Sequence, residues 1–113
     1  MRMWLVNVEY MCDAHLRQEH NDLHAINRRV QRSESTDDII CEPGALYERH
    51  VEVAKEMINR GMSHNSKLKK LKVITSEQMV WGTESLAELL AICPACRERV
   101  LNVEGMDTEK SRS

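Results

Sequence analysis

From Val8 to Gln31 the chain has neither proline nor glycine, and Cys12, Leu16, Leu23, Ile26 and Val30 recur on one side of a cylinder turning about 100° per residue. With Asn7 as N-cap, this pattern predicts a long first helix. His15, Glu19 and Asp22 fall on or beside the edge of its apolar stripe, and His20 and His24 lie further round. The polar run Ser33 to Asp38 reads as a connector. Pro43-Gly44 opens a second helix that reaches about Arg60 and stops at Gly61. Its buried face is Leu46, His50, Val53, Ala54 and Met57. Between Met62 and Gly82 the periodicity is weak, which predicts an ordered loop over the core. A third helix is expected near Ser85, where Ser85 and Glu88 form a capping-box pattern, and Pro94 either kinks it or restarts it behind Cys93. Residues 104–113 are polar and expected to fray. Strand-like alternation is confined to Met3–Val6 and Lys72–Ile74. The expected fold is therefore all-α, a compact three-helix bundle with an extended N-terminal segment and an ordered loop before the last helix, forming one domain over residues 1–113.

Composition makes the core aliphatic: Phe is absent, and seven Met join Leu, Ile and Val in filling it. The net charge of -2 argues against a strongly basic nucleic-acid binder. Charge is nonetheless uneven, with Arg28, Arg29 and Arg32 closing the first helix and Lys67, Lys69, Lys70 and Lys72 crowding the loop. A local basic stripe of this kind engages phosphates with a modest electrostatic contribution. No apolar run is long enough to cross a bilayer, and Met3–Val6 is too short for a signal-peptide core. A cytoplasmic monomer without membrane association is expected. Cys12, Cys41, Cys93 and Cys96 are then thiols or metal ligands rather than a disulfide framework.

The start of the chain carries candidate chemistry. Arg2 is bulky enough to disfavour removal of Met1, so the free amine is that of Met1, next to a permanently charged guanidinium and followed by a cluster of titratable side chains. An α-amine is a weak enough base to keep a nucleophilic fraction near neutral pH.

Met1-Arg2-Met3-Trp4, the block from Cys12 and His15-Leu16 through Glu19-His20 and Asp22 to His24, and Arg49-His50 followed by Glu52, Glu56 and Arg60-Gly61 stand in an order and spacing that resembles the pyrimidine-dimer DNA glycosylase family. These are the phage-type UV endonucleases, here in the short branch found in bacteria and phages, whose members also show a Leu86-to-Arg97 type segment. The resemblance implies a helical fold with a threaded N-terminus, and a DNA repair enzyme that is both glycosylase and AP lyase on UV-damaged duplex DNA. It implies an α-amine nucleophile at Met1, a supporting carboxylate at Asp22, and phosphate contacts from Arg2 and His15. No cofactor and no metal are implied. The family's carboxylate is typically Glu, whereas Asp22 is one methylene shorter. A basic residue ahead of it is Asn21 here, and an aromatic, basic tail is replaced by Asp107 to Ser113.

Other readings remain beside this one. Lys67, Lys69 and Lys70 are either a solvated loop or further phosphate contacts. Glu19, His20, His24 and His50 are either supporting site residues or a helix face with core-edge histidines. Cys12-x-x-His15 and Cys93-x-x-Cys96 both have zinc-ligand spacing, with Cys41 as a spare, although the pairs are distant in sequence. A metal-bound His15 cannot also hold a phosphate. The alternative function is a non-catalytic DNA-binding or zinc-stabilised interaction module.

Overall fold

The computed structural model describes residues 1–63, 67–68 and 76–112, leaving aside the side chains of 106–112. The architecture is all-α. Among the described residues there are four α-helices rather than the expected three: α1 (Asp13–Gln31), α2 (Leu46–Asn59), α3 (Gly82–Ile92) and α4 (Pro94–Arg112), with 3-10 turns at Val8–Tyr10 and Pro43–Ala45. The extra helix arises at Cys93, whose extended backbone (φ -126°, ψ 104°) ends α3, while Pro94 starts α4 in the first-turn position that suits its missing N–H.

The first helix begins five residues later than its periodicity predicts. Asn7 does act as a cap, its Oδ1 accepting the Glu9 N–H at 3.0 Å, but it caps a single 3-10 turn. Asn side chains compete in this way for nearby backbone donors. Met11 then runs extended and fully buried, and Cys12 becomes the N-cap of α1. The second helix follows expectation: all five residues of its predicted face are buried, and Gly61 takes the positive φ (76°) that closes it.

The third helix starts at Gly82, ahead of the predicted cap. Ser85 is a buried residue inside α3, its hydroxyl donating to the Trp4 carbonyl. Serine and glutamate three apart also share one helix face, which is why the capping-box pattern misled.

The N-terminal segment threads through the helices as expected. Arg2 pairs with Ile40 in a parallel bridge, and the Met3 N–H donates to the Ile40 carbonyl at 2.8 Å. Leu5 adopts a left-handed φ of 53°, and Trp4 and Val6 on either side of it are both buried. The core gathers Met3, Leu16, Leu23, Ile26, Val53, Met57, Leu89 and Cys96. Residues 64–66 and 69–75 of the predicted loop lie outside the described residues; at its C-terminal end Gln78 donates to the Thr36 and Ile39 carbonyls, and Glu42 accepts the Val80 N–H. None of the described helices is long and apolar enough to cross a membrane.

Candidate functional site

The thread and α1 bring the N-terminus against Asp22. The Arg2 backbone N–H donates to Asp22 Oδ2 at 3.2 Å, and Gln18, one turn earlier on α1, donates its amide to Oδ1 at 3.0 Å. Asp22 is buried, whereas Met1 is exposed. A carboxylate thus lies one residue from the chain's α-amine, oriented by two neutral donors. The spacing that places it is helical: Gln18 and Asp22 are an i,i+4 pair.

Arg2 has a more committed position than the sequence suggests. Its guanidinium lies over the Trp4 ring, 3.7 Å from the centroid, and donates to Ser85 Oγ at 3.0 Å and Glu88 Oε2 at 2.5 Å. Planar, permanently charged arginine suits both stacking and carboxylate binding. An open groove of about 220 Å³ runs alongside, lined by Arg2, Ile40, Met79, Val80, Trp81, Glu84, Ser85 and Glu88.

Glu19 is placed in the interior. Fully buried, it receives Arg49 Nε at 2.6 Å and Nη2 at 2.9 Å. The same guanidinium donates from Nη1 to the Val6 carbonyl at 2.8 Å, so one arginine joins α2 to α1 and to the thread. Arg60 repeats the arrangement nearer the surface, reaching Glu56, Asp13 and the Val8 carbonyl.

His20, His24 and His50 come together, with ring centroids 4.8 to 5.1 Å apart. Their nitrogens form a group able to hold a metal ion. His50 also lines a second groove of about 280 Å³ with Tyr47, Lys55, Lys67 and Leu68, among others. The two grooves share no lining residue. Lys67 is exposed; Lys69 and Lys70 lie outside the described residues.

His15 joins the cysteines. Its Nδ1 is 3.3 Å from Cys12 Sγ and 3.7 Å from Cys96 Sγ, and Cys12 Sγ is 3.8 Å from Cys93 Sγ. The ligand atoms of these four residues all lie within 4.8 Å of one another. Backbone N–H groups reach two of the sulfurs, from Cys12 to Cys96 and from Cys96 to Cys93, each at 3.3 Å. Burial opposes ionisation of the Cys93 thiol, but the hydrogen bonds from Cys96, Cys12 and Ala95 outweigh it and lower its pKa. Cys96 is pushed up to about 12, chiefly by burial and with the neighbouring thiols adding. Cys41 sits apart in the core, its thiol pushed up by burial, and belongs to neither cluster.

Sequence reasoning missed Gln18, Arg49, Ser85 and Glu88. Gln18 was legible as the i-4 neighbour of Asp22. Ser85 and Glu88 carried no signal for Arg2, because the contact spans more than eighty residues.

A family model described as pyrimidine dimer DNA glycosylase matches residues 1–70. No curated protein and no solved structure matches.

Proposed function

This chain belongs to the pyrimidine dimer DNA glycosylase family, and from that premise we propose that it is a DNA repair glycosylase and AP lyase acting on duplex DNA that contains pyrimidine dimers. The observation that supports the reading is the Asp22 carboxylate accepting the backbone N–H of Arg2, one residue from the α-amine. In this scheme the Met1 amine attacks C1′ of the damaged nucleotide, and the bond to the base breaks with its electron pair going to the base. Asp22 takes the proton that the amine sheds and passes it to O4′ as the C1′–O4′ bond breaks, which opens the sugar ring to an iminium and frees the carboxylate, while the departed base takes its proton from water. The iminium acidifies C2′; Asp22 removes that proton, the 3′ phosphate leaves with the C3′–O electron pair, and water then hydrolyses the C=N bond and releases the enzyme. Reaching C1′ requires a kinked duplex or an extruded nucleotide, which a damaged pair resists least. Exposed Trp81, at the rim of the groove beside Arg2, suits a base stacked out of the helix. Arg2 is the phosphate contact nearest the amine, with Glu88 as its competitor, and Lys67, Lys69 and Lys70 are further phosphate contacts suggested by the sequence.

Borohydride trapping on duplexes carrying a pyrimidine dimer or an abasic site tests the scheme. A covalent adduct is expected from protein whose N-terminus is mass-verified as Met1, and none after acetylation of that amine. Strand cleavage by the blocked protein would falsify the amine assignment. A second reading, a non-catalytic DNA-binding module, rests on the carboxylate at Asp22, one methylene shorter than the Glu typical of the family. It predicts DNA binding with no trapped adduct.

A further inference from the structure

We propose that Cys12, His15, Cys93 and Cys96 form a structural zinc site that staples the start of α1 to the junction of α3 and α4. The chemistry of the donor set comes first. Three thiols and one imidazole make the closed four-ligand combination that structural zinc prefers, with Zn–S near 2.3 Å and Zn–N near 2.0–2.1 Å. A tetrahedron with those bond lengths has S···S edges of about 3.8 Å and S···N edges of about 3.5 Å. The measured edges are 3.8 Å from Cys12 Sγ to Cys93 Sγ, and 3.3 and 3.7 Å from His15 Nδ1 to the Cys12 and Cys96 sulfurs. Three of the six edges thus lie close to those of a zinc tetrahedron, and all the ligand atoms lie within 4.8 Å of one another.

The backbone explains how four residues from two distant segments converge. Cys12 is the N-cap of α1 with His15 three residues on, and Cys93 precedes α4 with Cys96 three residues on. Residues at this spacing in a first turn project to one side, so each helix start offers a two-ligand claw. The two claws face each other. The N–H groups of Cys12 and Cys96 donate to cluster sulfurs, an arrangement that suits thiolates because it spreads their charge. Binding releases the thiol protons to solvent, and His15 coordinates as a neutral imidazole through Nδ1.

The staple meets a need of the fold. Among the described side chains of α4, Leu101 is 72% exposed, Val100 and Val103 are half-buried, and the helix meets the 3-10 turn at Val8–Tyr10 through polar contacts, Tyr10 with Glu104 and Arg99 with the Glu9 carbonyl. Cys96, fully buried, is its anchor. Two of the four ligands lie within residues 1–70, matched by the family model, and two lie beyond them. The metal thereby fixes α3, whose Ser85 and Glu88 hold Arg2, to the helix that carries Asp22. The site stands on geometry and donor chemistry whether or not the proposed reaction occurs, and it departs from the metal-free expectation drawn from sequence.

The test is metal content and cobalt spectroscopy on the full chain under reducing conditions. One zinc per chain is expected by mass spectrometry of the purified protein. Cobalt titrated into stripped wild-type protein should give thiolate-to-metal charge-transfer bands and intense tetrahedral d–d absorption. Zinc should displace the cobalt and raise the thermal midpoint, and magnesium should do neither. Cys96→Ser should weaken zinc binding by roughly 100-fold or more, beyond the loss typical of an outer hydrogen-bond partner, while His24→Ala leaves stoichiometry at one. If Cys96→Ser does not fold, the cobalt titration of the wild-type chain decides alone. Cobalt spectra lacking thiolate bands, zinc kept in Cys96→Ser and lost in His24→Ala, or a Cys12–Cys93 disulfide in the reduced preparation would each overturn the site.

Discussion

Glu19 and Asp22 stand three residues apart on α1 and are both buried, yet the chain treats them in opposite ways. Glu19 is clasped by the Nε–Nη2 edge of the Arg49 guanidinium, whose Nη1 also donates to the Val6 carbonyl. Its negative charge is spent fastening α1 to α2. Asp22 takes its hydrogen bonds from neutral donors, the Arg2 backbone and the Gln18 amide, at the point where the chain begins. Burial therefore does not identify a working carboxylate. The charge of the donors is what separates the two: Glu19 is held by a guanidinium packed in the core, whereas Asp22, the carboxylate proposed to work, accepts from neutral groups beside the exposed Met1.

The largest effect should fall on the Glu19 side. Arg49→Met leaves a carboxylate buried without its counter-charge, and breaking such a pair costs about 3–5 kcal/mol. Urea unfolding should record that loss, and Glu19→Gln in the same background should recover part of it. A midpoint shift equivalent to less than about 1 kcal/mol in Arg49→Met would erase the structural half of the contrast. Asp22→Asn should behave the other way round. Its unfolding free energy should stay within about 1 kcal/mol of the parent, while single-turnover cleavage of an abasic duplex falls by about 10²-fold or more, the usual contribution of a positioned acid–base group. Cleavage at the parental rate would move the catalytic carboxylate elsewhere, and Glu19, locked by Arg49, would be a poor replacement.

This contrast was only half legible in the sequence. Helical periodicity put Glu19 and Asp22 at the edge of one stripe, and it read the face of α2 correctly because apolar residues there pack by regular spacing. It had no means of separating the two carboxylates, because the deciding partners, Arg49 and the Arg2 backbone, come from other segments. Local rules also failed where tertiary contacts recruited capping residues. Asn7 caps a shorter turn than expected, and Ser85 turns its hydroxyl to Trp4 instead of its own helix end. The cysteine pairs were visible as ligand spacings, but only folding reveals that the two helix starts carrying them face each other.

A subtler change sharpens the Asp22 side. Asp22→Glu adds one methylene and restores the carboxylate typical of the family that the chain resembles. Because a displacement of about 1 Å can matter by up to about 10²-fold in a well-positioned site, the direction of the result is informative. Cleavage is expected to hold or to rise by up to about tenfold. A steep fall would mean that Gln18 and the Arg2 amide fix the shorter side chain at its working distance, and that the departure at this position is matched by the surrounding donors.

The smallest effect concerns the ion pair beside the amine. Arg2 and Glu88 are 2.5 Å apart, but the Glu88 side chain is 54% exposed, so the pair lies in the range of about 0.2–1 kcal/mol typical of surface bridges. Glu88→Gln removes the competing charge while Trp4 and Ser85 continue to hold the guanidinium. If Arg2 meets a phosphate during DNA engagement, the variant should bind duplex up to about fivefold more tightly, because that affinity was reduced by the pair's own stability. Its binding should also become more salt-dependent, by about 0.9 in the log–log slope for each additional phosphate neutralised. Fluorescence anisotropy across a salt series measures both quantities. Weaker binding by Glu88→Gln would show that the carboxylate positions Arg2 for DNA instead of competing with it. An unchanged slope would remove Arg2 from the phosphate contacts and shift them toward Lys67 and the rest of the basic loop.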